Sequence, residues 1–471
     1  MRSHSYLVAC ALVAALGGLL FGFDTAVISG AEQTLQRIYQ PAAGLSEQAL
    51  AFWHGFLVAS ALVGTVIGSV AVGKPADIIG RRSVMFLLAI LFFVSAVGSA
   101  LAGDWYSFVL FRFLGGVGVG GASVVSPMYI AEISPARLRG RLVALAQFNI
   151  VLGILLAFFS NYVVGSLKLG EIEWRWMFGI EAFPAAVYFV LLMLTPRSPR
   201  WLLAQNREDE ARRVLERLGT DAEGESVDAE IQEIKDSLDT DRHQVREPFF
   251  QRKYLKPIML AVAIAAFNQL SGINAILYYS KRIFETAGFG ESASLLNSVG
   301  LGAMNLVFTM AALAVIDHFG RKKLMIVGSL GYIVSLGATA AAFYTQSSLV
   351  PNASGELVRQ ISQTGGWIVF LSLLVFIASH AFGQGAVIWV FISEIFPNRV
   401  RARGQALGSF THWIFAAAIS QTFPLIAEAS GGHIFAFYCL MMILQLVWVL
   451  WIMPETKGVP LEAIQKEMGI E

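Results

Sequence analysis

The chain has 471 residues, of which 56% are apolar and 14% charged, where a soluble domain carries roughly 45–50% and about 25%. That balance excludes an ordinary soluble fold, and a net charge of +1 offers a nucleic acid no electrostatic footprint. Apolar windows such as 6–30, 84–102 and 324–344 each suffice to cross a ~30 Å hydrocarbon core. Barrel strands would instead alternate apolar and polar residues over ~10 positions. The expected fold class is therefore an all-α polytopic membrane protein.

In chain order the windows predict spans at 6–29, 52–73, 84–102, 106–130, 142–165, 176–195, 257–280, 295–316, 324–344, 366–393, 405–427 and 433–453, numbered 1 to 12 below. The first is too long for a signal-peptide core and lacks a small-residue cleavage site, so it reads as a retained span. Between spans 6 and 7 the composition turns to Arg, Glu and Asp, with helical patterns at 208–218 and 227–238. Alternating charge along short helices marks a solvated linker. The expected organisation is an N-terminal six-helix bundle (1–196), a linker (197–256), a C-terminal six-helix bundle (257–453) and a tail (454–471).

With sides alternating, the connections after spans 2, 4, 6, 8 and 10 and both termini hold 27 of the 34 Lys and Arg. The opposite side holds Arg37, Lys168, Arg175, Lys281, Arg282 and Arg359, and Arg112 lies within a span. The positive-inside bias predicts cytoplasmic termini and a cytoplasmic linker. Cys10 and Cys439 lie in apolar windows near opposite ends of the chain, which argues against a disulfide framework or a thiolate metal site, and no cofactor is expected.

The two halves repeat. Gly73-Lys-Pro-Ala-Asp77-Ile-Ile-Gly80-Arg81-Arg82 after span 2 is echoed by Asp317-His-Phe-Gly320-Arg321-Lys322 after span 8. Tyr129-Ile-Ala-Glu132-Ile-Ser-Pro135-Ala-Arg-Leu-Arg139 after span 4 is echoed by Phe391-Ile-Ser-Glu394-Ile-Phe-Pro397-Asn-Arg-Val-Arg401 after span 10. Two homologous six-helix bundles related by an axis along the membrane normal imply a mid-membrane cavity between them and alternating access by rocking.

These repeats, with Pro199-Arg200-Trp201 after span 6 and Pro454-Glu455-Thr456-Lys457-Gly458 after span 12, resemble the sugar porter family of the major facilitator superfamily. The resemblance covers nearly the whole chain. It is nearer to bacterial xylose–proton symporters than to animal glucose facilitators. One departure is Arg197, where the family usually carries Glu. The resemblance implies a bacterial inner-membrane protein that carries a monosaccharide and protons together across the bilayer; a monomer is expected as the working unit.

Asp24 is the sole carboxylate of the first window and Arg112 the sole charge between 105 and 130. Intramembrane ionisable groups are costly and functional by default, so they are read as a pair that couples protons to rocking. In the family, Asp at this position implies proton-coupled uptake, whereas uncoupled facilitators carry an uncharged residue.

A sugar presents many hydroxyls and no net charge, so its site needs amides that both donate and accept, and aromatic faces. Span 7 supplies Asn268, Gln269 and Asn274, then Tyr278 and Tyr279. A straight helix would set Gln269 and Asn274 ~140° apart, and an unwound turn at Gly272 would bring them to one cavity. Gln147, Asn305, Trp389 and Trp413 resemble the family's sugar contacts. Ile154 replaces a glutamine of xylose symporters, Gly383-Gln384-Gly385-Ala386 lacks the prolines common at that bend, and His380 and His412 add polar groups, read as satisfied buried side chains.

Pro135 and Pro397 should end their helices, so Glu132 with Arg139 and Glu394 with Arg401 are expected to bridge helix ends. Together with Asp77, Arg81, Asp317 and Arg321 they form a candidate cytoplasmic gate that latches when the halves meet on that side. Asn352-Ala353-Ser354 matches a glycosylation acceptor in form only. A proton-coupled monosaccharide symporter is the leading expectation, with an uncoupled uniporter next. A non-transporting sugar sensor would need more than the eighteen residues after Met453. An enzyme lacks support, since no metal-ligand cluster or nucleophile motif is present.

Overall fold

A computed structural model describes all residues except 1, 220–225, 244–246, 352–356, 430, 460–463, 465, 467 and 471. The chain is helical almost throughout, and eleven helices among the described residues are long and apolar enough to cross a membrane. They are Ser5–Ile38, Glu47–Ala71, Arg81–Leu101, Trp105–Ile133, Arg137–Ser166, Gly170–Leu192, Arg252–Tyr278, Glu291–Ile316, Arg321–Thr345, Gln363–Ile395 and Gly431–Trp451. Expected span 11 is present as the 32-residue helix Asn398–Ala429. Its run is interrupted by polar residues, of which Thr411 and Ser420 are buried, and it packs against spans 2 and 7 in particular. A helix buried in protein can carry polar groups that a lipid-facing one cannot.

Helix ends follow local chemistry. Ser46 and Ser362 accept from the third backbone N–H of their helices, and Asp104 forms a capping box with Ser107, each an N-cap that satisfies otherwise orphaned donors. Gly80 and Gly320, the glycines of the repeated Asp-X-X-Gly-Arg motif, have φ of 89° and 86°. That left-handed backbone suits glycine, and it makes the same sharp turn between spans 2 and 3 and between spans 8 and 9. Repeated sequence here means repeated backbone.

Three apolar cores form among the described residues. The largest draws on both halves, from Phe23, Val27 and Phe158 to Ile276, Phe376 and Phe435. A second belongs to the N-terminal half and a third to the C-terminal half, both on the side of the basic connections. The halves are therefore fused at the end opposite the basic connections and separate towards them.

The linker is more than a solvated connector. It forms helices Pro199–Ala204, Glu208–Leu218 and Val227–His243, on which Asp209, Arg213, Glu216 and Glu233 are exposed, while Trp201, Leu202, Val214, Leu218 and Ile231 join the N-terminal core. Trp201 Nε1 donates to the Asp77 carbonyl at 2.9 Å. An amphipathic stripe docks one face and leaves the charged face in water. Strands Ser347–Pro351 and Leu357–Ile361 pair antiparallel, Ser347 opposite Ile361, an element that the apolar windows do not disclose. The sequon 352–354 lies outside the described residues.

Candidate functional site

Asp24 and Arg112 meet inside the N-terminal bundle. Arg112 Nη1 donates to Asp24 Oδ1 at 2.5 Å and Nη2 to the Asp24 carbonyl at 3.2 Å. Each residue is 1% exposed. Gly115 makes the room, since a Cβ there would overlap Ser95 and stand 3.2 Å from Asp24 Oδ1. The guanidinium also lies over the Phe178 ring at 5.4 Å, a placement that the ring quadrupole favours.

A third buried charge belongs to this group and is missing from the expected set. Glu181, in span 6, is equally buried, feels both Asp24 and Arg112, and leaves Oε1 without a partner, as Arg112 leaves Nε. The signal was available, because Glu181 is the sole acid of its apolar run. Two acids facing one base in a dry site carry surplus negative charge unless one of them holds a proton.

Span 7 breaks where the sequence predicts. Helix Leu255–Leu270 stops, Gly272 takes φ 86°, and helices Ile273–Tyr278 and Ser280–Thr286 follow. A Cβ at Gly272 would overlap the Tyr438 ring. The break brings the amides together: Asn274 Nδ2 donates to Gln269 Oε1 at 2.8 Å, and Gln269 Nε2 to Asn268 Oδ1 at 2.9 Å. Gln269 Nε2 also lies 3.1 Å from His412 Nε2. The His412 ring stands 5.3 Å from Trp389 and 4.7 Å from Trp413, and Trp413 stands 5.7 Å from Phe21 of the other half.

His412, expected as a satisfied buried side chain, lies between the amides and both indoles. Tyr278 faces Thr25 across the halves, within electrostatic reach of Asp24 and Arg112. Asn305 bonds Thr309 in span 8 at 3.4 Å, and Gln147 is half-buried in span 5. Neither is joined to the amide cluster by a hydrogen bond. His380 bonds the Tyr332 hydroxyl at 2.6 Å, and Gln384, in a π-helical turn Ala381–Gly385, bonds Gln445 of span 12.

At the basic end the acids pair differently from expectation. Glu132 takes Arg81 Nε at 2.9 Å and the Ser198 hydroxyl at 2.5 Å, and Arg81 also meets Asp77 at 2.9 Å. Glu394 takes Arg321 Nη2 at 2.7 Å and the Thr456 hydroxyl at 2.6 Å. Arg139 reaches only the Ser134 carbonyl, at 3.5 Å, and Arg401 Nε is unpartnered. The side chain of Asp317 lies outside the described residues. The prolines explain the correction: they start a new helix that carries Arg139 and Arg401 away, and the Arg of the other motif in the same half takes each acid. These bonds form within each half while the halves are apart at this end.

A family model described as sugar (and other) transporter matches residues 10–468. The D-xylose-proton symporter of Escherichia coli (strain K12) is 37% identical, with 98% of this chain and 96% of that protein covered. The glucose transport protein of Synechocystis is also 37% identical, over 96% and 95%. Among solved structures, the xylose transporter XylE from E. coli in a partially occluded inward-open conformation superposes with a TM-score of 0.82 at 36% identity, covering 97% of this chain and 100% of that one. The separated basic ends agree with that conformation. With two repeated six-helix halves, a broken span 7 and a buried acid–Arg pair, this chain belongs to the sugar transporter family, within the major facilitator fold.

Proposed function

We propose that this protein is a proton-coupled monosaccharide symporter, taking a hexose or pentose, that imports by alternating access across a bacterial inner membrane. Both termini and the linker face the cytoplasm in this reading, following the basic connections. The observation that carries it is the Asp24–Arg112 pair, buried beside a third charge and next to the Tyr278 end of the amide-bearing segment.

Gln269, Asn268 and Asn274 offer donors and acceptors to sugar hydroxyls, His412 holds Gln269, and Trp389 and Trp413 offer faces to C–H surfaces. Gln147 and Asn305 line the same cavity from spans 5 and 8 in a more closed state. Tyr278 joins this set to the proton site through Thr25. When a proton neutralises Asp24 or Glu181, the surplus negative charge beside Arg112 disappears and the N-terminal bundle can rock without exposing an unbalanced charge. The Arg81–Glu132 and Arg321–Glu394 pairs keep each half rigid at its cytoplasmic end. Similar proteins are named for xylose and for glucose, and Ile154 beside Gln147 leaves one amide fewer for hydroxyl selection.

Uptake of a panel of labelled monosaccharides into proteoliposomes, with and without an inward proton gradient, tests the reading. Accumulation above equilibrium for at least one sugar, only with the gradient, is expected. Equilibration without accumulation would make the protein a uniporter.

A further inference from the structure

Spans 1 and 7 meet a second time, at the end where the halves are fused. Glu32, 0% exposed, accepts from Arg282 Nε at 2.9 Å, from Arg282 Nη2 at 2.7 Å and from His54 Nε2 at 2.9 Å. Arg282 also donates to Gln36, and Gln33 reaches Glu285. Glu32, Gln33 and Gln36 extend span 1 and His54 lies in span 2, whereas Arg282 and Glu285 sit on the short helix Ser280–Thr286 that follows the broken part of span 7. The segment freed by Gly272 is therefore tied to the other half by a two-pronged charge-assisted bond.

The placement makes this bond a moving part. A sugar passing between the amide cluster and this side must part spans 1 and 7, and the bond lies between them. Arg282 also lines a cavity of ≈280 Å³ with Gln33, Phe343, Phe423 and Phe435, space into which the guanidinium can turn once released. We infer that Glu32, His54 and Arg282 form an external latch: a positioning cluster that holds the outer mouth shut while the cytoplasmic side is open, and that breaks in each transport cycle. The inference rests on the alternating-access reading above. Removing Glu32 strands the Arg282 charge in the externally closed state alone, so that state is the one destabilised.

Spin labels at Gly103 and Gly290 report the outer mouth. Both positions are exposed, lie in external connections of opposite halves, and have open space where a side chain would go. On a Cys10→Ser, Cys439→Ser background, electron–electron distance distributions without sugar should be dominated by the short, closed distance. Glu32→Gln should raise the open-to-closed ratio about tenfold or more. Arg282→Gln should do likewise, and the double variant should add little to the larger single effect. If Glu32→Gln does not fold, Arg282→Lys, which keeps the charge and loses the fork, should move the ratio in the same direction by less. Distributions that superimpose on the parent in all folded variants, while the parent opens with sugar and a proton gradient, overturn the latch and leave the transport reading standing. A parent that never opens under any condition overturns both.

Discussion

Asp24 and Arg112 are each 1% exposed, and insertion scales charge ~2.5–3.5 kcal/mol for either alone at a helix centre. Pairing at 2.5 Å removes much of that cost, and Glu181 reintroduces some of it, which makes the trio responsive to one proton. The sugar side is equally concentrated. Gln269 bonds Asn268 and Asn274 and touches His412, so Gln269→Ala should weaken sugar binding by ~1–3 kcal/mol, about five- to over a hundredfold in Kd. Calorimetry on the folded variant checks it, and an unchanged affinity would assign Gln269 a structural task. Asp24, Arg112 and the span 7 amides stood out in the sequence because they are charged or amide residues set in apolar runs. His412, read as a satisfied buried side chain, has Gln269 as its partner, and its place beside Trp389 was not visible because Gln269 and Trp389 come from other helices. Glu32 and Arg282 were missed because each lies just past the apolar window and their meeting spans 250 residues.

At the scale of the element, span 7 depends on one residue. Gly272 combines φ 86° with the Tyr438 ring where a Cβ would stand, so Gly272→Ala should destabilise the protein by about 1–3 kcal/mol or more and lower sugar affinity with it. A thermal unfolding scan in detergent with and without sugar measures both, and an unaltered midpoint would contradict the strained turn. Glu394 is paired inside its own half while the halves are apart at this end. Its partners Arg321 and Thr456 belong to its own half, so Glu394→Gln should loosen the C-terminal bundle by about 1–3 kcal/mol, read as a lower unfolding midpoint. If Glu394 keeps Arg321 and Thr456 as partners in both states, the inward-to-outward ratio should stay near that of the parent, because such a group shifts nothing. A large change in cytoplasmic cysteine accessibility would restore Glu394 to an inter-half gate. The break in span 7 was legible because glycine between polar residues in an apolar run has few other uses. The pairing at the basic ends was not, because spacing along the chain does not say which of two arginines an acid meets.

Across the whole molecule, one shared core at the end opposite the basic connections and two separate cores at the basic end describe a hinge closed on one side. The twelve spans, the six-plus-six division and the repeated turns at Gly80 and Gly320 were legible from windows and motifs. The docking of the linker through Trp201 and Val214 was hidden by the high charge of the same segment. The same geometry places the amide cluster, Asp24 and the Glu32–Arg282 pair along spans 1 and 7, so in the proposed mechanism proton, sugar and gate would act on one interface. The central claim is that a proton held at the Asp24 site crosses with the sugar. It is tested most directly by adding a transported sugar to proteoliposomes in a weakly buffered medium and recording external pH. The parent should alkalinise the medium in step with sugar uptake, and Asp24→Asn should give no alkalinisation while still exchanging labelled for unlabelled sugar. Alkalinisation by Asp24→Asn equal to the parent's would contradict the account.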